Sequence, residues 1–257
     1  MRFLTDKELE VLEAAPQYRR FGERCPTCDG TGSYTYGGET RECVKSNGVT
    51  CDQLLLFRAY TMAGIPQQYH GLDWADYPHD TVRDGLNTYV ENFDEFRRHG
   101  IGFEVLGRSL GTGKTWAMCH VMKEVVKLGY TAKFTTFLNI KNMVRLGNQE
   151  WSDLAREMLS VEFLGIDEIL EPTTDRMQAF FEEQLEWVVR QRANDNLPTG
   201  TTTNMTEREM QESYPRVYSV LSSKQIRQRI EGEDARTETL RDSLVAMVTK
   251  RERRPLT

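Results

Sequence analysis

The sequence predicts an α/β fold in which a central parallel sheet is flanked by helices, with a small cysteine-rich module in front of it. Two observations predict the sheet. The apolar run 103–106 leads into a glycine-rich stretch and a helical pattern, and a second apolar run, 161–169, carries the adjacent carboxylates Asp167 and Glu168. Strand and helix patterns that alternate in this way are typical of parallel sheets. Four cysteines between positions 25 and 51 predict the separate module.

The module is the first element of the chain. Its cysteines are spaced C-x2-C and then C-x7-C, at Cys25, Cys28, Cys43 and Cys51, and a glycine-rich turn follows the first pair. Four thiolates complete a tetrahedral structural zinc site, and a segment with so few large apolar side chains would hardly fold without one. The second pair is spaced more widely than usual. Two disulfides or free thiols are the alternatives, and a cytosolic location disfavours the disulfides.

The segment between the module and the sheet predicts two helices. The first covers 52–64, with Asp52 as its cap and Gly64 as its end, and the second covers 81–98. The glycine and proline of 64–69 indicate a junction between a first domain, 1–62, and a second, 63–257.

The stretch 108–115 (Arg-Ser-Leu-Gly-Thr-Gly-Lys-Thr) predicts a phosphate-binding loop, because it joins a strand to the start of a helix. Lys114 would reach the β- and γ-phosphates, and the Thr115 hydroxyl would bind Mg²⁺. The residues expected to surround a nucleotide are Ser109, Leu110, Gly111, Thr112, Gly113, Lys114, Thr115 and Trp116. The usual pattern has glycine where this chain has Arg108, which leaves the entry turn open.

The strand 161–169 is expected to supply the second half of the site. Asp167 would hold Mg²⁺, and Glu168 would polarise the attacking water. A later β-rich run, 197–204, ends in Asn204, which could contact that water or the γ-phosphate. Asn204 or Thr206 could also cap the helix predicted after it.

A strand at 131–137 and a short helix at 139–146 lie between these two halves. The helix carries Lys141 and Arg145, which could contact a nucleic-acid backbone or could form a solvated face. A long helix is predicted over 173–192, and a final helix, 237–254, has a basic end.

The overall composition limits the classes of function. Hydrophobic residues make up 39% and charged residues 28% of the 257 residues, as in ordinary globular proteins. The net charge is −6, which disfavours a duplex-DNA binder that depends on phosphate contacts. No apolar run approaches the roughly 18 residues of a membrane-spanning helix, and the first residues lack the apolar core of a signal peptide. We therefore expect a cytoplasmic protein.

The order of these motifs resembles that of an AAA+ ATPase, and three stretches resemble the DnaC/DnaI-type replicative helicase loaders of bacteria and phages. They are residues 63–66 (Ala-Gly-Ile-Pro), the run 198–206, and Arg216-Val followed by 232–236 (Gly-Glu-Asp-Ala-Arg). A cysteine-rich zinc module before the ATPase is similar to the DnaI-type arrangement.

The resemblance implies roles for individual residues. Asp167 and Glu168 would be the Walker-B pair and Asn204 the first sensor. Arg236 would be the second sensor, which contacts the γ-phosphate from the same chain.

The resemblance also implies an arginine finger supplied to the neighbouring subunit. Many loaders have a second arginine four residues after the one matched by Arg216, and this chain has Val220 there. The finger is therefore Arg216, Arg227 or Arg229.

Such loaders use ATP to assemble on a ring-shaped hexameric helicase while single-stranded DNA enters. The resemblance therefore implies ATP, Mg²⁺ and Zn²⁺ as cofactors, and a helicase, single-stranded DNA and further copies of this chain as partners. Two alternatives stay open. One is a transposition ATPase of the IstB type, and the other is a zinc-tethered adaptor whose nucleotide site is structural.

Overall fold

The structure is a computed structural model that describes residues 33–44, 51–170 and 178–230, together with Lys7, Thr27, Cys28 and Pro172. Its helices and strands, in chain order, are β1 (Ser33–Tyr36), β2 (Glu39–Glu42), α1 (Cys51–Met62), α2 (Asp80–Glu91), α3 (Phe93–Arg98), β3 (Gly102–Leu106), α4 (Lys114–Lys127), β4 (Ala132–Thr136), α5 (Phe137–Leu146), α6 (Asn148–Ser160), β5 (Phe163–Ile169), α7 (Gln178–Asn194), β6 (Thr199–Thr203), α8 (Glu207–Ser213), α9 (Pro215–Ser222) and β7 (Gln225–Arg229).

Five of these strands form one parallel sheet in the order β4-β5-β6-β3-β7. The predicted α/β fold with a central parallel sheet flanked by helices is confirmed. Strand β3 lies inside the sheet. The strands β4, β5 and β6 that follow it in the chain lie on one side of β3, and the last strand, β7, lies on its other side. In parallel sheets, ligands bind at the carboxyl ends of the strands where the strand order reverses in this way. The loop 107–113 follows β3 at that edge.

Two glycines bring helix α4 close to the sheet. A Cβ atom on Gly165 of β5 would lie 2.7 Å from the Met122 sulfur, and one on Gly200 of β6 would lie 3.1 Å from the Met118 sulfur. Both methionines are fully buried. Residues two positions further along each strand point to the same face, toward the start of α4.

Helix α1 packs on this same core. Leu56, Ala59 and Tyr60 are buried in one cluster with residues of α4 and β3. The chain then continues along the edge of the sheet, where the Phe134 N–H of β4 donates to Ala63 O over 2.6 Å. The domain boundary after residue 62 stays a prediction, and α1 contacts the core on the far side of it.

The bounds of several predicted helices differ from the structure, and for two of them a side-chain hydrogen bond gives the reason. The helix predicted over 81–98 is broken at Asn92, whose side-chain amide donates to Thr88 O over 2.8 Å. Such a local bond competes with continuation of the helix. Helix α5 starts at Phe137, two residues earlier than predicted, because Thr136 accepts from Asn139 N and caps it. The predicted segments 173–177 and 237–254 lie outside the described residues.

A second core lies under helices α5 to α9. The fully buried Arg192 of α7 joins this core to the start of β6. Its guanidinium donates to Val161 O and Pro198 O, both over 2.8 Å, and to Met158 O at the end of α6. Val161 and Pro198 lie outside the helices and strands, and Met158 lies in the last turn of α6, where carbonyls lack helical partners. A five-donor guanidinium satisfies several such carbonyls at once. No sequence pattern indicated this contact.

The cysteine-rich segment contributes a hairpin, in which β1 and β2 pair antiparallel. The two turn residues, Gly37 and Gly38, have φ values of +63° and +83°. Turns of this kind match the twist of the strands and need residues that tolerate positive φ. No described helix is long and apolar enough to cross a membrane.

Candidate functional site

The loop 107–113 forms a tight turn over the start of α4. Gly111 and Gly113 have φ values of +71° and +90°, which side chains adopt only with strain. A Cβ on Gly113 would also lie 3.0 Å from the ring of Tyr77. The ring nitrogen Nε2 of His79 lies 2.8 Å from Thr112 O. The segment that precedes the sheet therefore fixes the loop from outside.

Lys114 points its ammonium group into the loop. Nζ donates to Ser109 O over 2.7 Å, to Gly107 O over 2.8 Å and to Thr112 Oγ1 over 3.2 Å. The side chain is buried at the first position of α4. A helix N-terminus with a buried cation beside it attracts a phosphate. Binding one would require Nζ to exchange loop oxygens for phosphate oxygens.

Asp167 meets Thr115 at the end of β5. Thr115 Oγ1 donates to Asp167 Oδ2 over 3.0 Å, and Thr202 Oγ1 donates to Asp167 Oδ1 over 2.6 Å. Burial raises the pKa of the Asp167 carboxyl, and these two hydrogen bonds oppose that rise. A carboxylate beside a hydroxyl offers the oxygen ligands that Mg²⁺ prefers. These residues therefore fit the ion.

Glu168 follows at a bulge in β5. Ile166 pairs with Thr201 and Ile169 with Thr203, so Asp167 and Glu168 both lie opposite Thr202. Glu168 has a φ of +62° and its side chain is exposed. A non-glycine residue in this region is strained, and such strain is often found at functional sites. The bulge turns the Glu168 carboxylate out of the alternation of the strand.

Asn204 lies just beyond β6. Its amide oxygen is buried and has no hydrogen-bond partner within the described part of the chain. The cap of α8 is Thr206, which forms a capping box with Glu209, so Asn204 is not needed for that purpose. An unpaired buried oxygen is costly, and a ligand or a water molecule at the site would relieve the cost.

Arg108 extends from the loop toward α8 and forms an ion pair with Glu209. Glu209 Oε2 also accepts from Thr206 N over 2.6 Å. The arginine is 71% exposed, so the side chain at this unusual position lies outside the turn and does not fill it. The loop and the first turn of α8 are thereby joined.

The fold of this chain is similar to that of several solved structures. One is a crystal structure of DnaI, with a TM-score of 0.56 and 16% identity over 65% of this chain and 94% of that one. Another is the DnaC helicase loader, with a TM-score of 0.53 and 18% identity over 65% and 100% of the two chains. This chain has the AAA+ fold. The predicted resemblance to DnaC and DnaI is thus confirmed for the fold.

A third similar AAA+ structure is the replication initiator DnaA bound to AMPPCP and single-stranded DNA. Its TM-score is 0.50, with 16% identity over 60% of this chain and 46% of that one. The sequence matches no protein-family model and no curated protein.

The candidate arginine fingers of this chain lie in different environments. Arg227 on β7 donates to Glu104 over 3.0 Å and to Glu207 over 2.6 Å, and its guanidinium packs over the Tyr218 ring. Arg216 is 71% exposed at the first turn of α9, and its described ion pair is a 3.6 Å contact with Glu186.

Arg229, the third candidate, is exposed at the end of β7. Arg236, the predicted second sensor, lies outside the described residues.

The two basic residues predicted to approach DNA are also placed differently. Lys141 is buried, with Nζ 6.0 Å from the centre of the Phe181 ring, and burial lowers the pKa of this lysine. Arg145, one turn further along α5, is exposed.

The predicted zinc ligands are described only in part. Cys28 and Cys43 are buried together beside Tyr34 of the β1–β2 hairpin. Cys25 lies outside the described residues, as does the side chain of Cys51. Among the described side chains, no group of three or more His, Cys, Asp or Glu residues is arranged to hold a metal ion.

Proposed function

We propose that this protein is an ATPase that loads a replicative DNA helicase onto single-stranded DNA, with ATP binding and hydrolysis acting as an assembly switch. The observation that supports the ATPase most strongly is the meeting of Lys114, Thr115 and Asp167 at the edge of the sheet where the strand order reverses. The loader function is supported by the fold that the chain shares with DnaI and the DnaC helicase loader.

In the proposed reaction, the backbone amides of 109–116 and the ammonium group of Lys114 bind the phosphates of ATP. Thr115 and Asp167 hold Mg²⁺, which when bound neutralises phosphate charge. Glu168 orients a water molecule and accepts a proton as that water attacks the γ-phosphorus. The bond between the γ-phosphorus and the bridging oxygen breaks, and ADP and phosphate are released. The Asn204 amide helps to position the water or the γ-phosphate.

Two arginines complete the proposed switch. Arg236 contacts the γ-phosphate from the same chain. Arg216 is the proposed finger for the neighbouring subunit, because it is exposed and its described ion pair, with Glu186, is long at 3.6 Å. Arg227 is a poorer candidate, because reaching a neighbour would leave the buried carboxylate of Glu104 without its partner.

The N-terminal module is proposed to bind the helicase, and to bind one structural Zn²⁺ through Cys25, Cys28, Cys43 and Cys51. The buried position of Cys28 and Cys43 at one end of a hairpin suits a structural zinc site, in which thiolates close the coordination. The proposed contact with single-stranded DNA depends on the exposed Arg145, since Lys141 is buried.

The proposal is tested with the full chain and the replicative helicase of the same organism. We expect the two proteins to co-purify with Mg-ATP, and we expect less complex with Lys114→Ala. The matched control is Lys127→Ala, which changes a lysine at the far end of the same helix. Failure of the parental chain to bind the helicase would contradict the loader function. So would equal helicase binding by the parental chain and both variants, with ATP and without it.

A further inference from the structure

Strand β6 contains three consecutive threonines whose hydroxyls are all buried. Thr201, Thr202 and Thr203 are 0%, 1% and 1% exposed. β-Branched residues favour strands, but a buried hydroxyl costs free energy unless it is hydrogen-bonded. The partners of these hydroxyls therefore indicate what the run does.

Two of the threonines bond to the bulge of the neighbouring strand. Thr203 Oγ1 donates to Ile169 O over 2.8 Å, just beyond the bulge. Thr202 makes two bonds inside it: Oγ1 donates to Asp167 Oδ1 over 2.6 Å and accepts from the backbone N–H of Glu168 over 2.8 Å. One hydroxyl thus contacts both acidic residues, the first through its side chain and the second through its backbone.

The two Thr202 bonds constrain different parts of the site: one the Asp167 carboxylate, the other the Glu168 backbone. Thr115 holds one oxygen of Asp167 and Thr202 holds the other, so the carboxylate cannot rotate without breaking a bond. The bond to the Glu168 N–H stabilises a backbone whose φ of +62° is unfavourable for glutamate. The direction of the Glu168 side chain depends on that backbone.

We propose that Thr202 is a positioning residue for ATP hydrolysis, which sets the orientation of Asp167 and Glu168 through its single hydroxyl. This inference rests on the proposed ATPase function. In this role Thr202 does not contact the nucleotide. It acts through the two carboxylates, so its loss should affect turnover and the Mg²⁺ requirement more than the affinity for ATP.

The strand supplies a matched control. Thr201 is as deeply buried, but successive side chains of a strand point to opposite faces, and its hydroxyl accepts from Gln225 Nε2 over 3.0 Å. Thr202→Val and Thr201→Val each replace one buried hydroxyl by a methyl group in the same strand. Only the first removes the bonds to the acidic pair.

The experiment compares Thr202→Val, Thr202→Ser and Thr201→Val in the full chain. We expect Thr202→Val to lower kcat about tenfold or more, as for loss of a hydrogen bond to a charged group. The KM for ATP should change less than about threefold, and the Mg²⁺ concentration for half-maximal rate should rise. Thr202→Ser, which keeps the hydroxyl, should hydrolyse ATP at about the parental kcat. The Glu168 amide should exchange with solvent faster in Thr202→Val than in Thr201→Val, a readout that needs no activity.

Two results overturn the inference and are distinguishable. If the parental protein hydrolyses ATP and the two valine variants have equal kcat, Mg²⁺ dependence and Glu168 exchange, then Thr202 is only a packed core residue. If the parental protein binds Mg-ATP but does not hydrolyse it, the proposed function fails, and the positioning role fails with it.

Discussion

Substitutions of Glu168 can separate the backbone strain at this position from its proposed role in ATP hydrolysis. A residue with a side chain at a φ of +62° carries strain of about 1–2 kcal/mol, which glycine lacks. Glycine itself loses about 0.5–1 kcal/mol relative to alanine, because its unfolded chain is more flexible. The side chain is exposed, so truncating it removes little packing. Glu168→Gly should therefore be more stable than Glu168→Ala by about 0.5–1 kcal/mol.

This difference is measurable by thermal and denaturant unfolding. For a domain of this size it corresponds to a rise in Tm of roughly 1–4 °C for Glu168→Gly over Glu168→Ala. Both variants should lack ATP hydrolysis, since neither can polarise water.

The control is Asn142, an exposed residue in the middle of α5. There the order should reverse, and Asn142→Ala should be more stable than Asn142→Gly by about 0.5–1 kcal/mol. If the alanine variant at 168 is as stable as the glycine variant, or more stable, the backbone at Glu168 is not strained. The bulge would then not be a strained functional feature.

Four further predictions test the site and its surroundings. Lys114→Ala should lose nucleotide binding, whereas Glu168→Gln should keep binding and lose hydrolysis, as titration of a fluorescent ATP analogue and phosphate release will show; equal loss of affinity would contradict the two roles. Gently purified protein should contain about one equivalent of zinc by elemental analysis, and Cys43→Ser should lose most of it; less than half an equivalent in the parental protein would contradict the site. Arg216→Ala subunits should regain hydrolysis when mixed with Lys114→Ala subunits, because an intact loop then meets an intact finger. An Arg216→Ala protein that hydrolyses ATP at the parental rate when assembled would rule this arginine out. Arg227→Ala should instead lower the Tm, since it leaves Glu104 buried and unpaired.

The parts of the site that were predictable from sequence are those formed by neighbouring residues. The phosphate loop, its lysine and the acidic pair each lie within a short run, and the strand or helix beside each run has a recognisable pattern. The parallel sheet followed from the same alternation. The broken helix at Asn92 was missed because helical periodicity continues across it, and only the local side-chain bond interrupts the helix.

The contacts that were missed join residues far apart in the chain. Arg108 and Glu209 are separated by 101 positions, and Thr202 lies 35 positions after Asp167. Nothing in the local pattern distinguishes a threonine that bonds to a carboxylate from one that merely favours a strand. Arg192 is similar, since its carbonyl partners carry no sequence signal at all. Such roles emerge only when the sheet order is known.

The most direct test of the central claim is the amount of replicative helicase placed on circular single-stranded DNA, measured by gel filtration after incubation with this protein. With Mg-ATP, the parental protein should transfer helicase to the circles, and Lys114→Ala should leave it at the level seen without the protein. Glu168→Gln should hold helicase and loader together without release. Equal amounts of helicase on DNA with the parental protein, with Lys114→Ala and with no added protein would contradict the account.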